Sequence, residues 1–294
     1  GNYVGFSAGG KGTFSVGAGA DVFVPGYVWF GHSGHGVFEQ SGGKCVVTNG
    51  ITLGEYAGAR GEMTLAGGSF SDTATSSLVG KQGRGDVTFT GGTNFINGIL
   101  ALGSLAGGAG YMTVLGGTNT FGSDVVGDRI YVGDAGTGTL LAGGGTNTTV
   151  SISIGNSSGG SGTMTMTNGL WCNTKHMWVG YFGNGSFNFS GGEMRFVDGG
   201  PVLAIGRYAN ATGQVAVSGG LLDLNGNGSV WMGGPNGFAR LTLTGDGVLR
   251  TKTIMENNAT ATSLIVFDGG TLKAAASGTL IQPLDDVRMT ASGL

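Results

Sequence analysis

Residues 85–92 read GDVTFTGG and residues 110–117 read GYMTVLGG. Each is a small residue, any residue, apolar, any, apolar, any, then a glycine pair. The apolar–polar alternation is the period-two signature of a strand with one buried face. The glycine pair ends it in a turn. The same pattern appears as GTFSVGA from Gly12, GEMTLAGG from Gly61, GTMTMTNG from Gly162, GSFNFSGG from Gly185 and GQVAVSGG from Gly213. Weaker copies begin at Gly36, Gly138, Ala239 and Ser263. Eleven copies therefore recur at about 25 residues along the chain.

An apolar residue followed by glycine precedes each copy, from Val4-Gly5 and Phe30-Gly31 through Val179-Gly180 to Met232-Gly233. In the eleventh repeat Met255-Glu256 holds that place, so the anchor has decayed there. The gap from anchor glycine to copy start runs 7, 5, 7, 5, 7, 5, 7, 5, 7, 6, 7. The true unit is thus a pair of repeats, about 50 residues long.

The alternation gives an inward ladder of Phe14, Phe38, Met63, Val87, Met112, Leu140, Met164, Phe187, Val215, Leu241 and Ile265. A second short strand leads into each anchor, as in Ile99 to Leu102 and Ile152 to Ile154, and a third follows the glycine pair, as in Thr93 to Ile96. Three short strands per repeat describe one coil of a β-solenoid. The expected fold is all-β: a right- or left-handed parallel β-solenoid (β-helix) of about eleven coils with alternating long and short corners. Stacked at ~4.8 Å, they make a rod roughly 50 Å long. Residues 1–274 form the solenoid, and 275–294, with Pro283 near the middle, read as an incomplete coil or subunit-junction segment. A β-propeller fits less well, because a blade needs four distinct strands and this unit is two near-copies of one half.

Composition agrees. Glycine fills 66 of 294 positions, about three times its usual share. Four prolines and no glycine at every third place exclude collagen. Hydrophobic residues at 39% are enough for a core. The chain shows no apolar run of membrane-spanning length. A net charge of −3, with 14 basic residues scattered singly, gives no footprint for nucleic acid.

The apolar-Gly anchor, the GTMTMTNG-type strand and the FDGGTLKA segment from Phe267 to Ala274 resemble the glycine-rich repeats of autotransporter (type V secretion) passenger domains. They are also similar to the repeat of bacterial surface proteins carrying PEP-CTERM sorting signals. The resemblance covers Tyr3 to about Ala274. It implies an extracellular or cell-surface location and adhesive or structural work.

Motifs that suggest chemistry have simpler readings. Four short corners, from Gly31, Gly80, Gly133 and Gly180, fit G-x-x-G-x-G, but a dinucleotide fingerprint needs a strand-to-helix turn and no segment has helical periodicity. His32 and His35 stand three apart, but zinc needs three or four ligands and His176 lies about five coils away. No metal or cofactor is expected, beyond an adventitious calcium near Asp124 and Asp128. With few carboxylates, hydrolytic candidates on adjacent coils are Glu39 with Glu62, or Glu62 with Asp86; they read as a solvated face, and the chain as no enzyme. Cys45 and Cys172 lie five coils apart, too far for a disulfide, and read as small buried hydrophobes. The Asn-x-Ser/Thr sequons follow from composition. GGTN recurs at 91–94, 116–119 and 144–147, placing Asn94, Asn119 and Asn147 at one corner where amides can ladder. Phe6, Tyr56 and Tyr208 on long corners, with Tyr181 and Phe182 on a short one, are the candidate binding residues. They suit sugars or a neighbouring rod, or cover the rod's own edge.

An open solenoid exposes unpaired backbone at both ends, which normally requires caps, and the sequence shows none. The leading expectation is a structural protein of the bacterial surface, polymerising head to tail into a filament or sheath. The alternative is a monomeric adhesin or passenger fragment that binds glycans through the aromatic corners. A polysaccharide-active enzyme is the third reading.

Overall fold

The computed structural model describes residues 1–123 and 127–290. These form 34 strands and no helix, in three parallel sheets of 11, 12 and 11 strands. Each sheet takes every third strand in chain order, except that the last described strand joins the second sheet two places after its neighbour there. Coil 1 thus gives Asn2–Val4 to a first face, Lys11–Val16 to a second and Asp21–Val24 to a third. Eleven such coils stack, followed by part of a twelfth. In that part Asp286–Met289 pairs with the strand Thr262–Asp268 and Ile281 bridges Ile254. The fold is the expected β-solenoid.

The eleven repeat starts fall into one row across the second face, Gly12 opposite Gly36 and so on to Ala239 opposite Ser263. Close approach explains the glycines. A Cβ on Gly162 would lie 1.9 Å from the carbonyl oxygen of Val132, one coil back. The anchors add a second demand: Gly31 has φ +71, and its Cβ would lie 1.9 Å from the Arg60 carbonyl oxygen.

Two residues beyond each start, the ladder from Phe14 to Ile265 is in register and, apart from Phe14, buried. Rings from the second and third faces meet inside the rod. Phe89 packs edge-on to Phe121 at 5.6 Å, and Phe121 stacks on Trp171 at 6.0 Å. Phe14 differs because no described coil covers it. Around it an apolar cavity of about 390 Å³ opens at the first coil, lined by Val4, Val24, Phe30, Phe38 and Cys45 among others.

Candidate functional site

The corner aromatics gather on the first face and its edge, where the two-repeat period becomes visible. The outward residue two places before each anchor glycine runs Tyr3, Trp29, Thr52, Leu78, Ala101, Tyr131, Ser153, Trp178, Ala204, Trp231, all in one register. From coil 2 to coil 10 large residues therefore sit on coils with short corners and small buried ones on coils with long corners; coil 1 departs, with Tyr3 large and exposed on a long-corner coil. Trp29, Tyr131, Trp178 and Trp231 belong to the site although corner spacing does not select them. The alternation at that one position is the signal that finds them.

Two clusters result. On coils 1–3 Tyr3 stacks on Trp29 at 4.8 Å, and His32 lies between Phe6 (4.9 Å, near-parallel) and Tyr56 (4.8 Å, edge-on). The Trp29 Nε1–H donates to Glu55 at 3.2 Å, and Lys81 pairs with the same carboxylate at 2.5 Å. On coils 8–9 Phe182 stacks on Tyr208 at 4.3 Å, and Tyr181 stands edge-on to both, at 4.9 and 4.8 Å. Burial and the neighbouring Tyr208 push the Tyr181 phenol upward in pKa. Phe6 with Tyr56, and Tyr181 and Phe182 with Tyr208, are thus brought together, while the two groups stay about five coils apart. The rings stack partly on one another, yet Phe6 remains 54% exposed and Tyr56 and Phe182 46%.

The asparagines lie one residue inside the corner rather than at it. They hold the second, inward position of Thr93–Ile96, Thr118–Phe121 and Thr146–Thr149 and are buried. Asn94 Nδ2 donates to Asn119 Oδ1 and Asn119 Nδ2 to Asn147 Oδ1, each at 2.8 Å. Each Nδ2 also reaches a carbonyl three residues back: Gly91, Gly116 or Gly144.

Two of the three candidate carboxylates on the second face, Glu62 and Asp86, are engaged by bases. Glu62 and Asp86 are in register, but Arg60 binds Glu62 at 2.9 Å, His35 binds it at 2.6 Å, and Arg84 binds Asp86 at 2.8 Å. Glu39 sits opposite Thr64, so it forms no pair with Glu62. Asp72 is different: it is buried, accepts from the Ser77 hydroxyl and the Ala74 N–H, and is pushed up in pKa by desolvation. Among the described residues no group of three His, Cys, Asp or Glu could hold a metal. Asp124 lies outside the described residues; Asp128 caps Ser123, accepting from its N–H at 2.7 Å.

Cys45 is buried, and burial pushes its thiol up to about 11. Cys172 departs from the buried reading. It occupies the outward position beside the buried Trp171 and is half-buried, because inward parity on this strand belongs to Trp171. No described helix is long and apolar enough to cross a membrane. No protein-family model, curated protein or solved structure matches the chain.

Proposed function

We propose that this chain is a structural β-solenoid of the bacterial surface or extracellular space, assembling head to tail into a filament or sheath. One observation carries the reading: the inner face of the first described coil is open. Its strand edges have no partner among the described residues, and Phe14 borders the apolar cavity. At the opposite end Val287 continues the ladder that Phe14 begins. Val287 is 43% and Met289 63% exposed. Stacking a second copy would set these residues against Phe14 and Val16 and extend the parallel pairing. The resemblance to passenger and surface-protein repeats supports the location. The pairing of Glu62 and Asp86 with arginines supports a non-catalytic role.

Electron microscopy of the purified chain tests this reading. Uniform fibres with a ~4.8 Å axial repeat are expected, and Phe14→Glu should abolish them while leaving the isolated rod folded. Rods that stay single at high concentration would overturn it.

A second reading has its own support. The half-exposed Phe6, Tyr56 and Phe182 suit a glycan-binding surface. Substituting Tyr56 and Tyr208 by Ala should then remove binding on a glycan array without changing the melting temperature.

A further inference from the structure

On coils 6–10 two arginines are set among the rings of the first face and its edge, Arg129 on the strand Arg129–Val132 and Arg207 in the corner after Val202–Ile205. The Arg129 guanidinium lies 5.7 Å from the Tyr131 ring centre and 5.0 Å from that of Trp178. Arg207 lies 5.0 Å from Tyr208 and 5.3 Å from Trp231. Tyr131, Trp178 and Trp231 are register equivalents on coils 6, 8 and 10, so successive rings stand about 9.6 Å apart, two strand spacings. Ser153 and Ala204 on the coils between are fully buried and do not rise between the rings.

The carboxylates of the adjoining loops are engaged by their own surroundings. Asp128 accepts from the Ser123 N–H and hydroxyl (2.7 and 3.1 Å), and Asp134 from Asn156 Nδ2 and Ser157 Oγ (2.8 and 3.0 Å). Asp198 accepts from the Gly199 N–H at 2.6 Å. Ring surface and guanidinium groups therefore alternate along a straight strip parallel to the rod axis. A guanidinium resting over a ring is a planar fork whose N–H edge can receive a carboxylate in bidentate fashion.

We propose that this strip binds a linear, β-linked polysaccharide of uronic acids laid along the solenoid axis, one disaccharide per two coils. A β-linked disaccharide spans about the length of the two-coil unit. The C–H face of alternate sugars packs on Tyr131, Trp178 and Trp231, and the carboxylates between them meet Arg129 and Arg207. The proposal rests on the glycan-binding reading and is independent of head-to-tail assembly.

The test compares two probes of one backbone, a β-1,4-linked mannuronate hexamer and neutral β-1,4-mannohexaose, titrated calorimetrically into the full chain. The acidic hexamer should bind at least about tenfold tighter, with affinity falling as salt rises. Arg129→Gln combined with Arg207→Gln should erase that difference, and Trp178→Leu should weaken both probes. Unchanged thermal melts of the variants would establish that they remain folded. Equal affinity for both probes would overturn the acidic class and leave the glycan reading standing. Binding of neither would overturn the strip as a binding site, and a glycan array blank for every backbone would overturn the glycan reading as well.

Discussion

Asn119 is the middle of a three-amide relay, and its neighbours are unequal. Replacing it by Leu removes both inter-asparagine bonds, strands Asn147 Oδ1 in a buried strip and leaves Asn94 Nδ2 with the Gly91 carbonyl alone. Asn94 stands at the end of the relay, where its own Oδ1 has no partner among the described residues. Asn94→Leu removes one inter-asparagine bond and strands Asn119 Oδ1, whereas Asn119→Leu removes two and strands Asn147 Oδ1. A hydrogen bond is worth about 0.5–1.5 kcal/mol, so urea titration should find Asn119→Leu less stable than Asn94→Leu by about 1 kcal/mol. Equal midpoints would mean that the relay contributes nothing beyond the bonds to the glycine carbonyls. His176 offers a second test. Its Nδ1 accepts the Val202 N–H at 3.1 Å, and burial holds its pKa below the ordinary 6.5. A group whose folded pKa is depressed contributes stability that is complete above the unfolded value and lost as pH falls through the folded one. The melting temperature should therefore fall between pH 7 and pH 5, and His176→Asn should remove part of that fall. A variant with the same pH slope as the parent would refute this role.

A single coil closes only if its two special glycines do different jobs. Gly162 needs space, since its missing Cβ would meet the Val132 carbonyl; Gly159 needs a left-handed backbone, with φ +83 and nothing within 4 Å of its would-be Cβ. Asn210 occupies the corresponding corner place on coil 9 with φ 60, and Asn tolerates that region well. Chemical denaturation should thus show Gly159→Asn close to neutral and Gly159→Ala costing about 1 kcal/mol. Gly162→Ala should cost roughly 2–4 kcal/mol, and parity between the two Ala variants would contradict the assignment. Such demands recur every turn, which is why coil number, strand order and the Phe14-to-Ile265 ladder can be read from spacing alone. Contacts between coils do not repeat in that way. Nothing in the spacing tells that Phe6 and Tyr56 meet through His32, because the three rings come from separate coils and converge only when the corners stack. Asn94 and Cys172 show the other limit. The glycine pair marks the turn, but the inward parity of the third strand starts one residue later than a corner reading assigns. Asn94 thereby moves into the core and Cys172 out of it.

Along the rod, protection is unequal. Inward residues on coils 6–9, such as Leu140, Met164, Phe187 and Leu203, are fully buried, whereas Phe14 on coil 1 is only partly covered. In a stacked-repeat architecture each coil is held mainly by its two neighbours, so a coil with one neighbour opens at a lower free energy. Hydrogen exchange followed by mass spectrometry should then show amides of Lys11–Val16 and Asp21–Val24 exchanging fastest among the strands of coils 1–9. Those of Thr137–Ala142 and Ser161–Met166 should exchange slowest. Assembly adds a further expectation. If a second copy supplies the missing neighbour, coil 1 should gain protection on raising the protein concentration, while coils 6–8 stay unchanged. Glycan binding makes the opposite forecast: added ligand should protect first-face amides such as Met177–Val179 and leave coil 1 as it was. Concentration-independent exchange at coil 1 would therefore count against the filament, whatever happens at the aromatic strip.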